Sequence, residues 1–254
     1  MFAHLKKPIR SFPKQPATEM RTLEIGNRAM PLTIREHPRS TRITLRIEPG
    51  ARRLSLTVPT GLSHEEIDDF LNRHQGWLLT KLARFPQEDA VLGSGSILML
   101  RGIAHKIEHS GQLRGVTEVV TACETPVLKV SGLEEHIGRR ITAFLKKEAR
   151  SDLELAVGRH AIHVQKPVKS IAIKDTRSRW GSCSWDGNLS FSWRIIMAPP
   201  FVIDYLAAHE VAHLDEMNHG PKFWALCRRL CSRTDEAKTW LRKHGSQLHA
   251  VSFR

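Results

Sequence analysis

Apolar and polar residues alternate with the strand period at 30–37 (MPLTIREH), 41–48 (TRITLRIE) and 53–58 (RLSLTV). Pro38, Pro49-Gly50 and Pro59 punctuate these runs as turns. Ser63 with Glu66 three residues on forms a capping box. It predicts a helix running towards Phe85, with Ile67, Phe70, Trp77, Leu78 and Leu82 on its inner side. Gly93-Ser94-Gly95-Ser96 opens a second set of short strands near 97–100, 103–109, 116–121 and 126–130. At about Leu133 the period changes. Ile137, Ile141, Phe144, Leu145, Leu153 and Leu155 recur at helical spacing through 133–163, and 168–174 (VKSIAIK) reads as a strand. Asp186-Gly187 then separates two strand-like runs, a strong hairpin signal. Pro199-Pro200, where a first-turn proline loses no hydrogen bond, start a helix that is expected to end at Asn218. Two more helices follow, from Pro221 to Cys231 and from Thr234 to His244, with Gly245 as the expected stop.

This order predicts an α+β chain in three stretches: a loose basic tail (1–20), a β-rich region with one helix (21–131), and a helix-rich domain (132–254). At 254 residues the chain is long enough to bury a real core. Its 41% hydrophobic and 26% charged content is that of an ordinary globular protein. No apolar run approaches the ~20 residues of a membrane span, and residues 1–20 lack the apolar stretch of a secretory signal. Cys123, Cys183, Cys227 and Cys231 show no paired metal spacing, so a reducing cytoplasm is expected rather than disulfides. The net charge of +13 allows weak association with nucleic acid or nucleotides. The basic residues are scattered, however, and no aromatic residues interleave with them in a stacking pattern, so a solvated basic surface is the simpler reading.

The candidate chemistry lies in the helix after Pro200. His209 and His213 are four apart and share one helix face, so both imidazoles reach a single ion. Glu210 flanks that face as a general base for activated water, which completes an HExxH arrangement for one Zn²⁺. A third ligand is required. Glu216 lies at i+7, roughly 10 Å along the axis from His209, too far for one ion on a straight helix. His219 follows the helix end, and Gly220-Pro221 turns the chain back, so geometry favours His219. Tyr205, the only tyrosine, lies one turn before His209, able to touch the site or to pack. Trp180, Gly181 and Ser182 offer either an edge strand for an extended peptide or a tight bend. Lys174, Arg177 and Arg179 could clamp phosphates or form a solvated face. Asp204, Asp215 and Glu216 could orient ligands, though helix-surface charge is simpler for at least two of them.

Taken together, Arg179-Trp180-Gly181-Ser182-Cys183, the Asn188 strand, Met197-Ala198-Pro199-Pro200, Asp204-Tyr205, HExxH and Asn218-His219-Gly220-Pro221-Lys222-Phe223-Trp224 resemble the YgjP-like metallopeptidase family, related to the SprT and WLM zinc proteases. The likeness spans residues 21 to 250. It implies a zincin-like domain, with helices packed on a small sheet around the HExxH helix, and a cytoplasmic zinc hydrolase. In SprT-like proteases the third zinc histidine sits in an HGxxF segment, the form that His219 to Phe223 takes here. The substrate implied is a polypeptide, with a pyrophosphatase activity on UTP also attached to the family. The alternatives are therefore a nucleoside triphosphate pyrophosphohydrolase and, less favoured, a basic nucleic-acid-binding module with a structural zinc.

Overall fold

The computed structural model describes residues 18–83, 85, 92–121, 125–176 and 178–253. The chain packs as two compact units, Met1–Arg84 and Phe85–Arg254. This division follows contacts, whereas the sequence boundary at 131 follows the change from strand to helix texture.

The first unit holds β1 (Thr18–Ile25), β2 (Arg28–Glu36), β3 (Thr44–Ile47) and β4 (Leu54–Val58) in the order β1-β2-β4-β3. β1 extends a strand into the stretch expected to be loose, pairing antiparallel with β2 from Thr18↔Arg35 to Ile25↔Arg28. Its pattern hides it. The half-buried side carries Glu19 and Arg21 where apolar residues are expected, and Arg21 bonds Asp68 at 2.6 Å. The predicted single helix is two, α1 (His64–Arg73) and α2 (Gln75–Leu82). The capping box forms as expected, with Glu66 N–H donating to Ser63 Oγ and Ser63 N–H to the Glu66 carboxylate. The break falls at His74, which leaves the helical region (φ −101°, ψ 4°) as its ring nitrogen bonds the Phe70 carbonyl at 2.7 Å. With the register reset there, Leu78 and Leu82 are buried while Trp77 stays exposed.

The second unit begins with β5 (Ile97–Leu100), β6 (Ile103–His109), β7 (Glu118–Val120) and β8 (Val127–Val130), ordered β5-β6-β8-β7. The two-residue β5–β6 turn places Arg101 (φ 50°) and Gly102 (φ 77°) in the left-handed region, as a twist-matched hairpin requires. Its tip docks elsewhere: Arg101 N–H donates to the Ile196 carbonyl (2.7 Å) and Gly102 N–H to that of Met197 (3.2 Å). The Arg101 guanidinium grips Asp152 with two bonds of 2.7 Å and Glu148 with one of 2.8 Å. Both carboxylates belong to α3 (Ile137–Ala161), which buries Ile141, Leu145, Ala149, Leu153, Ala156 and Val157. Leu155, expected inside, is exposed because Ala156 and Val157 take the core-facing positions.

A three-stranded sheet follows, β9 (Ser170–Lys174), β10 (Gly181–Cys183) and β11 (Asn188–Ser192), in the order β10-β11-β9. β10 and β11 form the predicted hairpin, with Gly187 at φ 80° in its turn. α4 (Pro200–Asp215) comes next, then α5 (Pro221–Leu230) and α6 (Thr234–Ala250). α6 runs through Gly245 instead of stopping there. A side chain at Gly245 would meet the Trp180 ring at 3.2 Å, so glycine is the residue that lets that indole lie on the helix. Among the described residues no helix is long and apolar enough to cross a membrane.

Candidate metal centre

α4 is apolar on nearly every side and buried accordingly: Val202, Ile203, Leu206, Ala207, Ala208, Val211, Ala212 and Leu214 all lie in the core. The chemistry is carried by the few polar residues set into it. His209 and His213 project from one face, and α4 ends at Asp215. The chain then bends so that His219 Nε2 comes within 3.1 Å of His209 Nε2. One nitrogen from each of His209, His213 and His219 lies within 4.8 Å of the others.

Each ring is oriented by its neighbours. His213 Nδ1 donates to the backbone carbonyl of Glu216 at 3.1 Å, leaving Nε2 as a lone pair. The Tyr205 hydroxyl lies 3.3 Å from His209 Nδ1 and does the same for that ring. Phe223, fully buried, touches all three imidazoles, with centroids 4.9 Å from His209, 4.5 Å from His213 and 4.7 Å from His219. Trp224 stacks on the exposed His219 at 5.6 Å, and Lys238 Nζ lies over the indole at 3.8 Å.

Burial drives the His209 imidazole down to about 3, with His213, His219 and Lys238 adding to the effect. Burial also lowers His213, against the opposing bond to the Glu216 carbonyl. Burial thus favours the neutral form of His209 and His213, which keeps their lone pairs for a metal. Glu210 is 3% exposed, and burial raises its carboxyl to about 8 against the opposing charge of Arg179. Its Oε2 is buried with no hydrogen-bond partner among the described residues. β10 passes directly over it. A Cβ built on Gly181 would overlap Glu210 Oε1 and lie 2.7 Å from its Cδ, so only glycine fits there.

These residues fit a divalent ion. Ligand nitrogens around a tetrahedral zinc lie roughly 3.3 Å apart for Zn–N bonds of about 2.0–2.1 Å, close to the 3.1 Å found between His209 and His219. The orphaned Glu210 oxygen has the burial and freedom of a group that works on a bound species rather than on the fold.

The candidate site residues thus separate into groups. His209, Glu210, His213, His219, Tyr205 and Gly181 come together. Ser182, next to Gly181 in β10, pairs with Ser190 of β11. Trp180 turns to α6, stacking on His249 at 4.3 Å, and reads as an anchor for β10. Arg179 is exposed, and Arg177 lies outside the described residues. Lys174 is on β9, separated from β10 by β11 and hence by roughly 10 Å. Glu216 serves His213 through its backbone, and Asp204 bonds His160 and Arg159 instead of a ligand. Phe223 and Trp224, which the sequence offers only as part of the motif after His219, form the bed on which the imidazoles lie.

A family model described as YgjP-like, metallopeptidase domain, matches residues 41–244. A search of curated proteins finds no match. Among solved structures, the metallopeptidase zymogen of Pyrococcus abyssi abylysin is 21% identical, covering 37% of this chain and 93% of its own, with a TM-score of 0.31.

Proposed function

Because the chain belongs to the YgjP-like metallopeptidase family, we propose that it is a zinc-dependent peptidase in which Glu210 is the general base. The observation that carries this reading is the buried, unpartnered Glu210 oxygen on the same helix as two of three clustered imidazoles. His209, His213 and His219 would hold the ion, and three protein ligands leave the open position of a catalytic rather than a structural zinc. Bound zinc supplies Lewis-acid activation of water and of the scissile carbonyl. Glu210 takes the proton from the attacking water and returns it to the departing amine. Its raised carboxyl value suits that exchange, since a nearby cation pulls it from about 8 towards neutrality. β10 is an edge strand, so an extended polypeptide can add to its open side next to Glu210. The thiols of Cys183, Cys227 and Cys231 are free, in keeping with a cytoplasmic location.

The test is Glu210→Gln, assayed for zinc content and for cleavage of an unstructured protein such as casein. Full zinc with activity lost by at least ~10²-fold supports the role; a zinc-replete variant that still cleaves removes it. Parallel release of pyrophosphate from UTP, abolished by the same variant, would move the reading to a nucleotide hydrolase.

A further inference from the structure

On the far side of α4 from the metal centre, the ends of α3 and α5 and the face of α4 border an open cleft of about 600 Å³ lined by Arg159, His160, His163, Asp204, Arg229 and Leu230. Asp204 precedes His213 by nine residues, half a revolution more than two turns, so the two face opposite ways. The volume falls in the range of small-ligand pockets. Its chemistry is lopsided: two arginines and two histidines line it together with one carboxylate. Asp204 uses a single oxygen, Oδ1, for Arg159 (2.9 Å) and His160 (3.0 Å), and His160 is 7% exposed, so this part of the wall is fixed. Arg159 has five N–H donors, of which this contact engages one. Arg229, in the last turn of α5, has no hydrogen-bond or ion-pair partner for its guanidinium among the described residues. Cations at the ends of α3 and α5 complement the helix dipoles. The dipoles do not explain why both sets meet in one cleft with unused donors.

We propose that this cleft is a binding site for a small phosphate-bearing ligand, separate from the metal centre. Arg229 and the free edge of the Arg159 guanidinium take the phosphate oxygens, as arginine forks do. His163 closes the rim.

The experiment is calorimetric titration of the zinc-loaded full chain with inorganic phosphate and, separately, with glucose 6-phosphate. Arg229→Glu is expected to weaken binding at least about tenfold, the cost of one charge-assisted contact, while leaving peptidase activity unchanged. Asp204→Asn, which removes the competing anion, is expected to tighten it. Tighter binding of glucose 6-phosphate than of phosphate marks an ester as the ligand, and equal binding marks the free ion; both support the site. No heat at millimolar phosphate, or binding that Arg229→Glu leaves intact because it occurs at the metal, overturns it.

Discussion

Replacing Gly181 with alanine adds one methyl group where β10 crosses Glu210. That carbon would overlap Glu210 Oε1 and stand 2.7 Å from Cδ and 2.8 Å from Cγ. Ordinary contact begins near 3.4 Å, so strand or carboxylate must yield by about 0.7 Å at Cδ and by more at the oxygen. Glu210 is 3% exposed and has no open solvent to swing into. Overpacking of this kind costs about 1–3 kcal/mol of stability. A displacement near 1 Å of a catalytic group costs roughly 10²-fold in rate. No imidazole atom is among the nearest neighbours of the added carbon, so the three histidines should keep their metal. The expected result is a folded, zinc-replete Gly181→Ala protein whose kcat/KM on a quenched fluorescent peptide falls by about two decades. Zinc content and Tm are read on the same preparation. A variant with full zinc and wild-type kcat/KM would refute the close approach of β10 to Glu210.

Three further outcomes are expected. Tyr205→Phe removes the hydroxyl beside His209 Nδ1 and should weaken zinc by about 10–100-fold in a chelator competition, with the fold retained; unchanged affinity would show that the 3.3 Å contact orients nothing. Asp204 is pushed up by burial but held lower overall by His160 and Arg159. Its stabilisation is therefore present above the ordinary carboxylate value and is lost as pH falls through the lowered folded value. The Tm advantage of wild type over Asp204→Asn should shrink below about pH 4, and a gap constant with pH would contradict this. Arg101→Ala strands Asp152 and Glu148 one turn apart on α3 and should cost about 2–3 kcal/mol in denaturant unfolding, whereas a loss under half a kcal/mol would mark these bonds as idle.

The parts of the centre visible in the sequence are those set by spacing along the chain. Histidines four apart share a helix face whatever packs around them, and Gly220-Pro221 must turn, so His209, His213 and His219 could be grouped before any fold was known. The Asp186-Gly187 hairpin was legible for the same local reason. Gly181 was singled out only as part of an edge strand, because its meeting with Glu210 depends on how a sheet lies against a helix 29 positions later. β1 was hidden by Arg21, whose charge is satisfied by Asp68 on another element. Gly245 looked like a helix end because sequence does not reveal an indole packed against it; once Trp180 occupies that space, the missing side chain favours continuation.

The β5–β6 turn carries a consequence for dissecting the chain. Cut where the texture changes, at residue 131, the remaining piece would still contain every imidazole, the glutamate and the edge strand. It would lack the two amides of Arg101 and Gly102 that hold Ile196 and Met197, the residues delivering the chain into α4. It would also bare the isoleucines and leucines of α3 that Leu98, Leu100, Ile107 and Leu128 share a core with. The ligand helix is braced at its root by a loop almost a hundred residues earlier. The shortest fragment worth expressing therefore starts ahead of β5, and a library randomised only around the histidines would leave untouched one of the supports on which their spacing depends.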